Sequence, residues 1–112
     1  MSSPYSYSAQ KFSSARRALM LPHPRGQAES IAGAFLECDL GLHDIRPEHL
    51  DDDARRWVEQ LRQLMDTTGV QGPRGVGTWQ VKAQQLGEDE LFTLSSVVDE
   101  LADWFEARFY GH

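Results

Sequence analysis

The sequence predicts an all-α fold, a small bundle of four main helices with one further short helix. Apolar residues recur at intervals of three and four along most of the chain, as on one face of a helix. Short connectors containing proline or glycine separate these runs. The 112 residues are enough for one domain with its own core. The predicted main helices cover about 8–20, 27–42, 48–67 and 88–110, with a possible short helix over 79–86.

The first helix follows a polar segment. Residues 1–7 contain serines and a proline, and are expected to form a mobile tail ahead of a single helical domain over 8–112. The helix is expected to begin at Ser8, whose hydroxyl can accept a hydrogen bond from an amide of the first turn. It should stop before Pro22, because proline biases the preceding residue away from helical dihedrals. Its apolar stripe is Phe12, Ala15 and Leu19.

The second helix is predicted over 27–42. Gly33 and Ala34 are small, so another helix is expected to approach closely on that flank, and Gly41 is expected to mark the helix end. Cys38 is the only cysteine, which excludes an intrachain disulfide, and its place in the stripe predicts a small buried thiol. The stripe consists of Ala28, Ile31, Ala32, Phe35, Cys38 and Leu42.

The third helix has two possible starts. Pro47 suits a first helical position, whereas Asp51 and the two aspartates after it would gain from the helix dipole. The helix should end near Thr67, because four glycines and a proline follow over 68–77. Its apolar stripe is Ala54, Trp57, Val58, Leu61, Leu64 and Met65.

The last part of the chain predicts a short helix and a long one. Residues 79–86 fit a strand as well as a helix, but a lone strand would have no partner, so a helix capped by Thr78 is favoured. The final helix, over 88–110, is long and aromatic, and we expect it to contact several others. Its stripe is Leu91, Leu94, Val98, Leu101, Phe105 and Phe109.

The charge distribution is uneven. A net charge of −6 argues against a nucleic-acid binder, which needs a basic surface to displace counterions. Residues 1–26 carry four basic side chains and no carboxylate, while the last helix is acidic. The two segments either pack side by side and neutralise each other, which we favour, or leave a basic arm for an external anion. The basic residues are Lys11, Arg16, Arg17 and Arg25.

Motifs for chemistry are missing. No apolar run approaches the roughly 20 residues that span a bilayer, so no membrane association is expected and the expected location is cytoplasmic. Asp39 and His43 stand four residues apart, but without the spacings typical of zinc sites they suggest a local ion pair. No glycine-flanked serine marks a nucleophile. We therefore expect no catalytic residues, no metal and no cofactor.

Aromatic residues supply the main functional prediction. The last helix ends with Trp104, Phe109 and Tyr110, more aromatic surface than one small bundle is expected to cover, and Trp79 lies beside the glycine-rich segment. Large exposed aromatic patches are typical of interfaces. These four residues are predicted to bind a protein partner or a second copy of the chain. The predicted function is a non-catalytic helical protein–protein interaction module, such as an adaptor, inhibitor or regulatory partner.

The glycine-rich segment supports an alternative function. Over 69–78, backbone amides freed by glycine can converge on an anion at a helix N-terminus. The P-loop ending is absent, so a flexible connector remains the other interpretation. The alternative is a small-ligand or anion-binding protein that uses Arg74, Gly75, Gly77 and Thr78.

Overall fold

The computed structural model describes residues 4–20, 26–70 and 77–110. Within these ranges the chain is all-α, as predicted, with five α-helices, one 3₁₀ turn and no strand. The helices are α1 (Pro4–Met20), α2 (Gln27–Leu42), α3 (Asp52–Met65), α4 (Thr78–Gln85) and α5 (Glu88–Tyr110), and the 3₁₀ turn is Pro47–His49.

The predicted bounds of α2 and α5 are confirmed, and the helix count becomes five because α4 is a regular helix of 8 residues. The prediction of one helix over 48–67 is wrong at both ends. Pro47 opens the 3₁₀ turn, Asp51 caps α3, and the extended backbone of Leu50 separates the two. Helix α3 ends at Met65, because Asp66 leaves the helix and its carboxylate accepts the Thr68 amide at 2.9 Å.

Helix α1 begins at Pro4, so the predicted tail over 1–7 is wrong for residues 4–7, while residues 1–3 lie outside the described residues. Proline is tolerated in a first helical turn, whose amides have no partner within the helix. Tyr5 anchors this turn: its hydroxyl donates to the carbonyl of His49 at 2.9 Å, and its ring meets Trp104 edge-on at 5.8 Å between centroids.

Ser8 and Gly41 join α1 to α2. Ser8 is buried and does not cap a helix, because its hydroxyl donates to the carbonyl of Gly41. Gly41 lies inside α2 rather than after its end, and a Cβ there would lie 3.0 Å from the Lys11 Cβ and 3.1 Å from the Phe12 ring. A Cβ added at Gly33 would meet no described atom within 4 Å apart from its own stretch of helix. Gly41, not Gly33, is therefore the glycine that the helix contact requires.

Packing is organised around α1 and α5. Helix α1 packs against both α2 and α5, while α3 packs on α5 and α4 on α2, so the last helix contacts two others, α1 and α3. Phe12 and Phe105 stack at 5.2 Å between centroids, and both are fully buried, as is Phe35. The remaining large buried side chains include Leu61, Leu94, Leu101, Val98 and Cys38.

Opposite charges meet between α1 and α5. Arg16 lies 2.8 Å from Asp103 and 3.2 Å from Asp99. The hydrogen bond to Asp103 raises the pKa of the Arg16 guanidinium, against the opposing effect of burial. Lys11 instead contacts Glu37 of α2 at 3.4 Å. The predicted neutralisation between the first and last helices is confirmed for Arg16. Lys11 pairs with α2 instead, and Arg25 lies outside the described residues.

Candidate functional site

Trp79, one of the predicted partner residues, is half-buried between α2 and the end of α3. Its indole N–H donates to the carbonyl of Met65 at 3.2 Å, and its ring meets Phe35 at 6.4 Å between centroids. These two contacts hold α4 against the rest of the bundle. The indole N–H of Trp79 therefore already has a partner within the chain. Only part of its ring surface is left for another protein.

Trp104 is also half-buried, and it belongs to a junction between the C-terminal part of α5 and the start of α3. Its indole N–H donates to Asp51 at 3.0 Å, and the Arg108 guanidinium lies over its ring at 4.5 Å. Asp51 also accepts the amide of Ala54 at 2.9 Å as the cap of α3. The Ala54 amide and then the Trp104 indole lower the pKa of the Asp51 carboxyl. This junction stabilises two helix ends.

Phe109 and Tyr110 close α5. The Phe109 side chain is 40% exposed and borders a polar cleft of about 450 Å³ between α1 and α5, which Ser13 and Arg17 also line. The side chain of Tyr110 lies outside the described residues. The structure therefore places Trp79, Trp104 and Phe109 in three different surroundings.

The predicted anion site falls mostly outside the described residues, which include neither Arg74 nor Gly75. The N-cap of α4 is Gly77, whose backbone is extended, and no side chain makes a capping hydrogen bond there. Thr78 is already the first residue of the helix, so the prediction that Thr78 caps it is wrong. The amides of Gln80 and Val81 already donate to the carbonyl of Gly77. The anion-binding alternative stays a prediction.

The most exposed apolar surface was missed in the sequence. Phe92 is 78% exposed and Met20 76% exposed, the highest values among the large hydrophobic side chains that the structure describes. They border one cleft of about 380 Å³ between the end of α1 and the first half of α5. We call this the apolar cleft, and its lining residues are Arg16, Leu19, Met20, Phe92, Ser95, Ser96 and Asp99.

A sequence signal for the apolar cleft existed. Phe92 follows Leu91 but lies off the α5 stripe, so a helical wheel places this large apolar side chain among the acidic residues. Met20 likewise ends α1 beyond the last stripe residue, Leu19. Apolar residues that break an amphipathic pattern are candidates for surface contacts.

The described residues include no cluster of three or more His, Cys, Asp or Glu side chains placed to hold a metal ion. Cys38 is fully buried, and burial raises the pKa of its thiol, with smaller contributions from Glu37 and Asp39. A thiol in this environment is a poor nucleophile.

No helix in the described part of the chain is long and apolar enough to cross a bilayer. Comparison of the chain with family models, curated proteins and solved structures found no match.

Proposed function

We propose that the chain is a non-catalytic helical protein–protein interaction module and that the apolar cleft is its contact surface. The observation that carries the proposal is the exposure of Met20 and Phe92 beside one cleft. Removing such a side chain from water contributes about 1.5–3 kcal/mol, so these two contribute about 3–6 kcal/mol to an interface that covers both. Trp79 and Trp104 support the proposal less, because their indole N–H groups already have partners within the chain.

A second copy of the chain is the occupant that the apolar cleft fits best. The surface carries protruding apolar side chains and a recess side by side, so it can be complementary to itself about a two-fold axis. The charged residues of its rim, Arg16 and the 58% exposed Asp99, already pair with each other at 3.2 Å within the chain, so the proposed contact rests on the apolar side chains.

Sedimentation velocity of three proteins tests the proposal. The wild-type chain should shift from monomer to dimer between micromolar and millimolar concentration. Phe92→Asp should stay monomeric, because it places a carboxylate where the apolar contact forms. Leu36→Asp is the matched control, since Leu36 is 48% exposed on α2 and does not line the apolar cleft. Circular dichroism should show equal helix content in all three proteins.

A dimer that persists in Phe92→Asp would contradict the assignment of this surface. If the wild type is monomeric throughout, the second copy is excluded, and paired capture experiments test a different partner. Wild type and Leu36→Asp should then retain a protein that Phe92→Asp loses. Equal capture by all three baits would overturn the proposed interaction through the apolar cleft.

A further inference from the structure

A second cleft lies between the end of α2 and α3, and its volume is about 300 Å³. Its floor is apolar and is formed mainly by Leu42, Leu50 and Val58, of which all three are buried, together with the half-buried Ile45. Three guanidinium groups border this floor. We call it the arginine cleft, and its charged lining residues are Arg46, Arg55, Arg62 and Glu59.

The three arginines differ in the hydrogen bonds and ion pairs that their guanidinium groups already make within the chain. The Nε of Arg55 donates to the carbonyl of Pro47 at 3.0 Å, and its Nη1 lies 3.7 Å from Asp52. Arg46 lies 3.7 Å from Glu48. Arg62 makes no ion pair with any residue of the described ranges. Arg62 is therefore the rim cation most available to an external anion.

Helix geometry places two of these cations along one side of the cleft. Arg55 and Arg62 are seven residues apart, which puts them two turns and about 10.5 Å from each other along the axis of α3. Val58 lies between them in sequence and contributes to the floor. A ligand on this floor therefore has a cation near either end.

An apolar floor with a guanidinium rim matches a ligand that combines an anionic head with an apolar body. Guanidinium binds carboxylate through two parallel hydrogen bonds, which a point charge does not offer. The cleft volume is at the lower end of the range of about 300–1,000 Å³ for ligand pockets, so the ligand must be small. We propose that the arginine cleft binds a small monocarboxylate with an apolar tail, with Arg62 as the principal partner of the carboxylate.

Glu59 allows a test of whether negative charge beside the arginine cleft weakens the binding of an anionic ligand. It is the one carboxylate among the lining residues that the structure describes, and it stands between Arg55 and Arg62 on α3. Its carboxylate lies beyond ion-pair distance of both. Removing this negative charge should favour an anionic ligand, so Glu59→Gln should bind more tightly than the wild type.

An amide NMR titration with octanoate tests the proposal, with octanol and octylammonium as probes of equal tail length. Octanoate, kept below its aggregation concentration, should cause saturable shifts at Ile45, Leu50 and Val58. Octanol should bind more weakly and octylammonium not at all. Arg62→Gln should weaken octanoate binding about two- to fivefold, in keeping with a solvent-exposed ion pair. Arg56→Gln should match the wild type, since Arg56 contacts Asp53 at 2.9 Å and does not line the cleft.

Three results would overturn the proposal. The first is equal affinity for octanoate and octanol, and the second is an equal effect of Arg62→Gln and Arg56→Gln. The third is a set of octanoate shifts confined to Phe92 and its neighbours, which would assign the ligand to the apolar cleft. The titration is independent of sedimentation, so the failure of either proposal leaves the other standing.

Discussion

Replacing each of two glycines of α2 by alanine should change stability in opposite directions. Gly41 faces α1, where a new Cβ would lie 3.0 Å from the Lys11 Cβ and 3.1–3.2 Å from two carbons of the Phe12 ring. The ring cannot move aside easily, because it is fully buried and stacked on Phe105. Gly33 lies in the same helix on its exposed face, with no described neighbour within 4 Å of a new Cβ.

The magnitudes follow from two opposing effects. Alanine in place of glycine inside a helix stabilises by about 0.8–1.0 kcal/mol, because it restricts the unfolded backbone. Forcing a methyl group into packed surroundings costs about 1–3 kcal/mol. Gly33→Ala receives only the first effect and should stabilise the chain. Gly41→Ala receives both, and should destabilise it by up to about 2 kcal/mol.

Urea unfolding followed by circular dichroism measures both variants under one condition. Equal m-values would show that only stability changed, and the two midpoints should then move to opposite sides of the wild-type midpoint. A Gly41→Ala variant as stable as Gly33→Ala would refute the close approach of α1 and α2. Ser8→Ala adds a second check on this contact, since the Ser8 hydroxyl donates to the Gly41 carbonyl.

Three further predictions concern single side chains. Asp51→Ala should lose about 1 kcal/mol of stability at neutral pH, as expected for a lost helix cap. Because folding lowers the pKa of Asp51, its stabilisation is present above the unfolded pKa of about 3.9 and is lost as the pH falls through the folded pKa. Urea midpoints of the two proteins should therefore converge in acid, and a gap independent of pH would contradict the role of the carboxylate. Arg16→Gln should lower the free energy of unfolding by about 0.2–1 kcal/mol, and by less at high salt, because salt screens exposed ion pairs. A loss of stability that does not change with salt would argue against a contribution from these ion pairs. Cys38 should react with a thiol reagent only as fast as the chain opens, and modification at the rate of an exposed thiol would contradict its burial.

The sequence predicted helices well where periodicity and capping agree. In α3 the stripe residues Ala54, Leu61 and Leu64 are all buried, and Asp51 caps the helix. The start of α1 was missed, because Tyr5 holds the first turn through contacts with residues distant in sequence, His49 and Trp104. Local propensity carries no information on such contacts.

Contacts between helices also explain why the site could be predicted only in part. Aromatic content alone cannot distinguish an exposed ring from Trp104, whose indole N–H is hydrogen-bonded to Asp51, the residue that caps α3. For the same reason the sequence assigned the close helix approach to Gly33 instead of Gly41, because the position of α1 was not known. Phe92 could have been found in the sequence, because it breaks the polar face of α5.

The proposed dimer, in which two copies of the chain meet through the apolar cleft, can be tested directly. Isotope-filtered NOE spectroscopy on a mixture of labelled and unlabelled protein detects only contacts between copies. If two copies meet through the apolar cleft, intermolecular NOEs should connect the Phe92 ring to the methyl groups of Leu19 and Met20 in the other copy. A concentrated sample in which these signals are absent, or arise only from Phe109 and Leu36, would contradict it.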